Sequence, residues 1–169
     1  MDAVHHWTEL TELVERSLLT ARYCALATVG PDGWPRIAPI GSLFFLEPCK
    51  AYYLEKFPKT TRANLEQDQR LCILAAPRSF RTFLKALFSG RFDTSPAVRL
   101  FGRAGVRRPA TAEELRLWEE RIRGFRFFRG LRGYKLLWEN MEHVRELTID
   151  TFEPVHIGAM TQGLFRGGQ

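Results

Sequence analysis

The chain has 169 residues, 45% of them hydrophobic and 26% charged, which is typical of one globular domain and excludes a wholly disordered chain. No apolar run approaches the roughly 18–20 residues of a membrane-spanning helix, and the first residues lack the basic stretch and apolar core of a signal peptide, so we expect a cytoplasmic protein with no membrane contact. The net charge of +6 favours an anionic partner, which is a phosphate-bearing cofactor, a nucleic acid or an acidic membrane surface.

The predicted elements begin with a helix over 7–20, where Trp7, Leu10, Val14 and Leu18 recur at spacings of three and four. A strand-like run over 23–29, a Gly-Pro-Asp-Gly turn and an extended run over 34–45 then predict a hairpin.

Two prolines, Pro35 and Pro39, lie in the second strand of that hairpin. Proline cannot donate a hydrogen bond to a ladder, so we expect this strand to be an edge, to carry a bulge or to face a ligand.

Further strands are predicted over 51–54, 71–75, 98–106 and 143–152, with a short helix over 62–67. Thr111 and Glu114 form a capping-box pattern that opens another helix. About six strands in short steps, without β-α-β alternation, predict a mainly β protein. We expect one domain over 1–169, an antiparallel barrel from about residue 22 with peripheral helices.

A basic and aromatic insertion over 78–96 interrupts this pattern, with apolar residues at helical spacing. It could cap the barrel, form a substrate lid or widen a dimer contact.

The segment from Lys56 to Asn64 carries the clearest candidate chemistry. It brings Lys59, Thr60 and Thr61 to the start of a helix, where free backbone amides, hydroxyls and a positive charge can together bind a phosphate. The same residues would also suit an ordinary helix cap on a solvated turn.

The order of several short motifs resembles the FMN-binding split-barrel superfamily, and within it the pyridoxamine 5′-phosphate oxidase-like family. The resemblance covers residues 20–107 and lies in Ala27-Thr28-Val29, the Gly turn, the proline-containing strand from Trp34 to Ile40, Lys59 to Leu65, and Gly102-Arg103-Ala104. It implies a split β-barrel, a homodimer and an FMN-dependent oxidoreductase acting on a small molecule.

The resemblance also implies a cofactor site. The FMN phosphate would be held by Lys59, Thr60 and Thr61, with Asn64 supporting their loop. Both chains would contribute to each site, for instance through Trp138 or Phe101 of the second half. The flavin would be lined by five consecutive residues: Arg36, Ile37, Ala38, Pro39 and Ile40.

The chain departs from true pyridoxamine 5′-phosphate oxidases near its end, where the substrate-binding Arg-x-His pair is missing and His156 follows Pro154-Val155. We therefore expect no oxidation of vitamin B6. Catalytic acid and base residues stay unassigned, because a flavin can accept a hydride without them.

Two alternatives remain. Some relatives bind a deazaflavin or haem on the same surface, and a haem would need an axial histidine such as His143 or His156. The arginines and phenylalanines of 121–132 could instead bind a nucleic acid, although a helix end with inward phenylalanines explains them too. Cys24 and Cys72 are expected to be core residues, and no spacing of histidine and cysteine indicates a metal.

Overall fold

The computed structural model describes residues 3–56 and 59–164. Its elements are α1 (Trp7–Thr20), β1 (Cys24–Val29), β2 (Pro35–Ile40), β3 (Leu43–Phe45), β4 (Lys50–Leu54), α2 (Lys59–Gln67), β5 (Arg70–Ala75), α3 (Phe80–Ser89), β6 (Val98–Pro109), α4 (Ala112–Arg121), α5 (Arg132–Trp138) and β7 (His143–Pro154). Two 3₁₀ helices cover Arg123–Phe128 and Gly158–Thr161.

Seven strands form one sheet in the order β2-β1-β5-β6-β7-β4-β3, and all neighbouring strands are antiparallel. The mainly β fold with peripheral helices is therefore confirmed. β2 lies at one edge of this sheet, as its two prolines predict.

One face of the sheet forms the core. A cross-strand row of Leu26, Ile73, Leu100 and Phe152 is fully buried. Helix α1 covers this core with Leu10, Leu13, Val14 and Leu18, so the helix and its apolar stripe are confirmed.

The expected number of strands was wrong because the run over 34–45 breaks into β2 and β3. The buried Ser42 hydroxyl donates to the Leu54 carbonyl and accepts from the Leu54 amide, at 3.1 Å in each case. The Ser42 side chain thus takes the place of a backbone hydrogen-bonding partner for Leu54, and the strand is interrupted there.

The other predicted limits of helices and strands differ from the observed ones by a few residues. The helix predicted over 62–67 starts at Lys59, and the last two strands extend to Pro109 and Pro154. Thr111 and Glu114 form the predicted capping box. Phe57 and Pro58, which precede α2, lie outside the described residues.

The register of β6 against β7 shifts by one residue at Gly102, and the two backbones lie close together there. A Cβ atom on Gly102 would lie 2.1 Å from the Thr148 carbonyl oxygen and 3.1 Å from the Ile149 Cα. Both atoms belong to backbone that cannot move aside without disturbing the ladder, so only glycine fits here.

We predict that Gly102→Ala lowers the free energy of unfolding by about 1–3 kcal/mol, the usual cost of forcing an extra carbon into a packed site. Urea denaturation measures the effect. Gly124→Ala is the matched control, because a Cβ atom added there would have no neighbouring atom within 4 Å. Equal stability of the two variants would contradict the close approach.

Candidate functional site

Helix α2 is held against the end of the hairpin by one buried hydrogen bond. The Asn64 side-chain amide donates to the Thr28 hydroxyl at 3.0 Å, and both residues are buried. Thr28 lies directly opposite Arg36 in the ladder between β1 and β2. The Asn64 hydrogen bond thus fixes α2 on β1, beside the strand that carries Arg36.

The amino end of α2 presents the predicted phosphate residues unequally. Lys59 and Thr60 are exposed, whereas Thr61 is buried. The first backbone amides of a helix have no partner within it, and they carry its positive dipole end. Lys59, Thr60 and these amides can therefore reach an anion, while Thr61 packs into the fold.

Arg36 is engaged by a neighbour on its own hairpin. Its guanidinium donates to both oxygens of Asp32, at 2.7 and 2.8 Å. These hydrogen bonds lower the pKa of Asp32 to about 2. Asp32 is thus ionised at neutral pH and neutralises the charge that Arg36 would offer an anion.

The five predicted residues of β2 divide between the two faces of the sheet. Ile37 and Pro39 are exposed, while Arg36 and Ala38 are half-buried and Ile40 is buried. This follows from the period-two alternation of a strand. Because β2 is an edge strand, alternate residues also leave backbone groups free along its outer side.

A cleft of about 230 Å³ adjoins the carboxyl end of β2. Pro39, Ile40 and Gly41 form one wall, and Leu137, Trp138 and Met141 form another. Lys56 also lines it, and its ammonium donates to the carbonyl oxygens of Leu136 and Glu139. Trp138 thus borders the predicted flavin strand within its own chain.

A buried charge cluster that the sequence analysis missed lies where β4 passes into the loop before α2. The Glu55 carboxylate is buried and pairs with Arg145 at 3.2 Å and with Arg107 at 2.8 Å. The Tyr53 hydroxyl donates to Glu55 at 2.9 Å, and burial strongly raises the pKa of Tyr53. The sequence gives one indication of this cluster. Arg145 occupies an inward-facing position of β7, where the next inward-facing residues, Leu147 and Ile149, are apolar.

The outer face of the sheet carries an apolar row across four strands. Ile37, Ala27, Cys72 and Phe101 stand opposite one another on β2, β1, β5 and β6. Ile37 is 72% exposed, and the other three are half-buried. Phe101 therefore lies on an open apolar face.

The cysteines and histidines contribute no visible reactive site. Cys24 is buried in the core, as expected, and desolvation raises the pKa of its thiol to about 11. Cys72 is only half-buried, so the prediction that it is a core residue was wrong. His143 is half-buried and His156 exposed. Among residues 3–56 and 59–164, no histidine lines the cleft and no group of three residues could hold a metal ion.

The arginine and phenylalanine segment over 121–132 is only partly used by the fold. Arg121 pairs with Glu15 at 2.8 Å, and Phe125 packs against Trp138. Phe127, however, is 93% exposed, and Phe128 is also exposed. Inward packing therefore explains one phenylalanine of the three.

Comparison with known proteins agrees with this architecture. The family profile described as pyridoxamine 5′-phosphate oxidase matches residues 10–148. No curated protein matches the sequence. None of the helices within the described ranges has the length and apolarity to cross a membrane.

Three solved structures illustrate the similarity. An FMN-binding protein from Syntrophomonas wolfei shares 19% identity and a TM-score of 0.57, with 90% of this chain and 94% of that chain covered. An F420 reductase shares 16% identity and a TM-score of 0.53, covering 84% and 94%. The haem storage protein HutZ from Vibrio cholerae shares 15% identity and a TM-score of 0.53, covering 87% and 92%. These similarities confirm the split-barrel fold, here a curled seven-stranded half-barrel.

We predict that Glu55→Gln destabilises the chain by about 3–5 kcal/mol, because it leaves two arginines facing a neutral amide in a buried site. Chemical denaturation followed by circular dichroism measures this. Glu153→Gln, an exposed change on β7, is the control and should be neutral within about 0.5 kcal/mol. An equally small effect at Glu55 would refute the importance of the cluster.

Proposed function

Because this chain belongs to the pyridoxamine 5′-phosphate oxidase family, we propose that it is an FMN-dependent oxidoreductase that acts on a small molecule as a homodimer. The amino end of α2 carries the proposal, since it presents Lys59, Thr60 and the first backbone amides of a helix at a fixed position beside β1 and β2. Such an end suits a phosphate monoester better than a neutral group.

The residues present fit the rest of the cofactor as well. The backbone groups along the outer edge of β2 and the cleft beside Pro39 and Ile40 would hold the flavin. When bound, the flavin supplies the hydride chemistry. Trp138 and Met141 would exclude water from its ring, and Lys56 would keep the α5 wall in place.

The alternatives differ in what they require of this cleft. An F420-type deazaflavin would use the same positive helix end, so it remains the second candidate. A haem would need an axial ligand, and the described part of the cleft wall offers no histidine. A visible spectrum of the purified protein distinguishes the three, because flavin, deazaflavin and haem absorb at different wavelengths.

The substrate is proposed only as a small molecule. The Arg-x-His pair of true pyridoxamine 5′-phosphate oxidases is missing from 151–169. We therefore expect neither binding nor oxidation of pyridoxamine 5′-phosphate.

The apolar row of Ile37, Ala27, Cys72 and Phe101 is the proposed dimer face. A twofold axis through it would pack each row on its copy, as self-complementary interfaces require. The row starts on β2, so the same contact would bring a second chain against the flavin strand. Phe101 of one chain could then reach the site of the other.

We predict that Lys59→Ala combined with Thr60→Ala weakens FMN binding by about 10–100-fold, since hydrogen bonds to charged groups contribute about 1.5–3 kcal/mol. Thr61 is left unchanged because it is buried, and its loss could disturb the fold. Quenching of flavin fluorescence gives the dissociation constant.

Lys135→Ala, which removes an exposed lysine of α5, is the control for lost charge. If the Lys59/Thr60 variant binds FMN as tightly as the unchanged protein, the phosphate does not bind at this helix. A colourless protein that binds no added FMN would defeat the whole proposal.

We predict that Ile37→Glu converts the dimer to a monomer, because it places two carboxylates together in an apolar contact. Light scattering coupled to size exclusion measures the mass. Leu131→Glu, a comparably exposed position before α5, should leave the mass unchanged. A dimer that survives Ile37→Glu would show that another face is used.

A further inference from the structure

Helix α3 presents an apolar surface that the barrel does not use. Five large apolar residues lie on an arc of about 140° around the helix: Phe80, Phe83, Leu84, Leu87 and Phe88. All five are exposed, and Phe80 and Phe88 reach 77% and 86%. Only Ala86 of α3 is buried, so the arc does not cap the barrel.

The helix is well specified in spite of this exposure. Ser79 caps its start by accepting a hydrogen bond from the Thr82 amide at 3.2 Å, and Gly90 ends it in the left-handed conformation. A cleft of about 440 Å³, lined by Thr82, Phe83 and residues of α1, separates part of α3 from the body. The structure thus holds α3 in place with its apolar side outward.

Positive charges accompany the apolar arc. Arg78, Arg81, Lys85 and Arg91 lie on or next to the helix. Lys85 pairs with Asp93 at 2.6 Å. The other three make no ion pair with any residue that the structure describes, so they remain available to an external anion.

We propose that α3 docks this protein on an anionic lipid surface. An amphipathic helix of this kind lies in the plane of the interface, with aromatic and aliphatic side chains below the headgroups and cations among them. The proposal differs from the sequence expectation of no membrane contact, which rested on the lack of a long apolar run. Surface docking needs no such run.

Charge and side-chain type favour an anionic bilayer over the two other candidate partners of α3, which are a second copy of the chain and a nucleic acid. A second copy packed through α3 would bring Arg78, Arg81 and Lys85 against the same cations of its partner, and like charges disfavour that contact. A nucleic acid would match the charge and could stack on phenylalanine, but Leu84 and Leu87 offer bases no stacking surface. A bilayer with acidic headgroups satisfies both the cations and the aliphatic side chains.

The position of α3 gives the docking a direction. The helix follows the end of β5, which lies beside the start of β1 and the end of β2. The cleft beside Pro39 to Gly41 adjoins this end of β2. Docking through α3 would therefore place this end of the sheet nearest the lipid.

The test is sedimentation of the full chain with vesicles of equal parts phosphatidylcholine and phosphatidylglycerol, beside vesicles of phosphatidylcholine alone. We expect binding to the mixed vesicles only, weakened by added salt. Phe80→Ser combined with Phe88→Ser should reduce the partition coefficient by at least about tenfold. Trp34→Ser removes an exposed aromatic ring from the opposite end of the sheet and should change nothing.

A second variant, Arg81→Gln with Arg91→Gln, keeps the apolar arc and should reduce binding by roughly tenfold or more. Unchanged thermal midpoints would confirm that both variants fold. No binding to mixed vesicles, or equal binding to phosphatidylcholine alone, overturns the proposal. So does a drop from dimer to monomer in the phenylalanine variant, because the arc would then be covered by a second copy.

Discussion

The arrangement of the candidate site depends on the buried carboxylate of Glu55. It directly follows β4, pairs with Arg145 of β7 and Arg107 of β6, and is separated from α2 by three residues. A buried charge tolerates little displacement, because movement separates it from the arginines and the Tyr53 hydroxyl that offset its lost hydration. The cluster therefore fixes the point at which the chain leaves the sheet after β4. The Asn64 hydrogen bond to Thr28 then fixes the direction of the helix that follows.

Periodicity and turn chemistry predicted most of the fold, since these signals are local. The α1 stripe, the Pro-Asp-Gly hairpin and the Thr111 capping box all appear where the sequence places them. The break at Ser42 was not predictable, because it depends on a hydrogen bond to Leu54, twelve residues away. For the candidate site, the sequence placed Lys59 at the start of a helix, and the structure has it there. The pairing of Arg36 with Asp32 and the burial of Thr61 depend on packing, which no local pattern encodes.

The exposed apolar surfaces of this chain are of two kinds. The row through Ile37 and Phe101 lies on the sheet face, and the neighbouring Arg70 and Arg103 pair with Asp68 and Asp150, so the row can pack on its own copy. The arc of α3 is accompanied by Arg78 and Arg81, which make no ion pair within residues 3–56 and 59–164, so it suits an acidic surface better than an identical chain. The row begins on β2, which also lines the cleft beside Pro39, so a second subunit could form part of the surroundings of the cleft.

The edges of the sheet have a consequence for solubility. At one edge, Pro35 and Pro39 remove two donors from β2, and at the other, β3 is only three residues long. An exposed edge with a full set of free amides can recruit further strands and begin aggregation. Here neither edge offers an incoming strand a long continuous ladder. The prolines of β2 thus protect the chain from fibrillar growth.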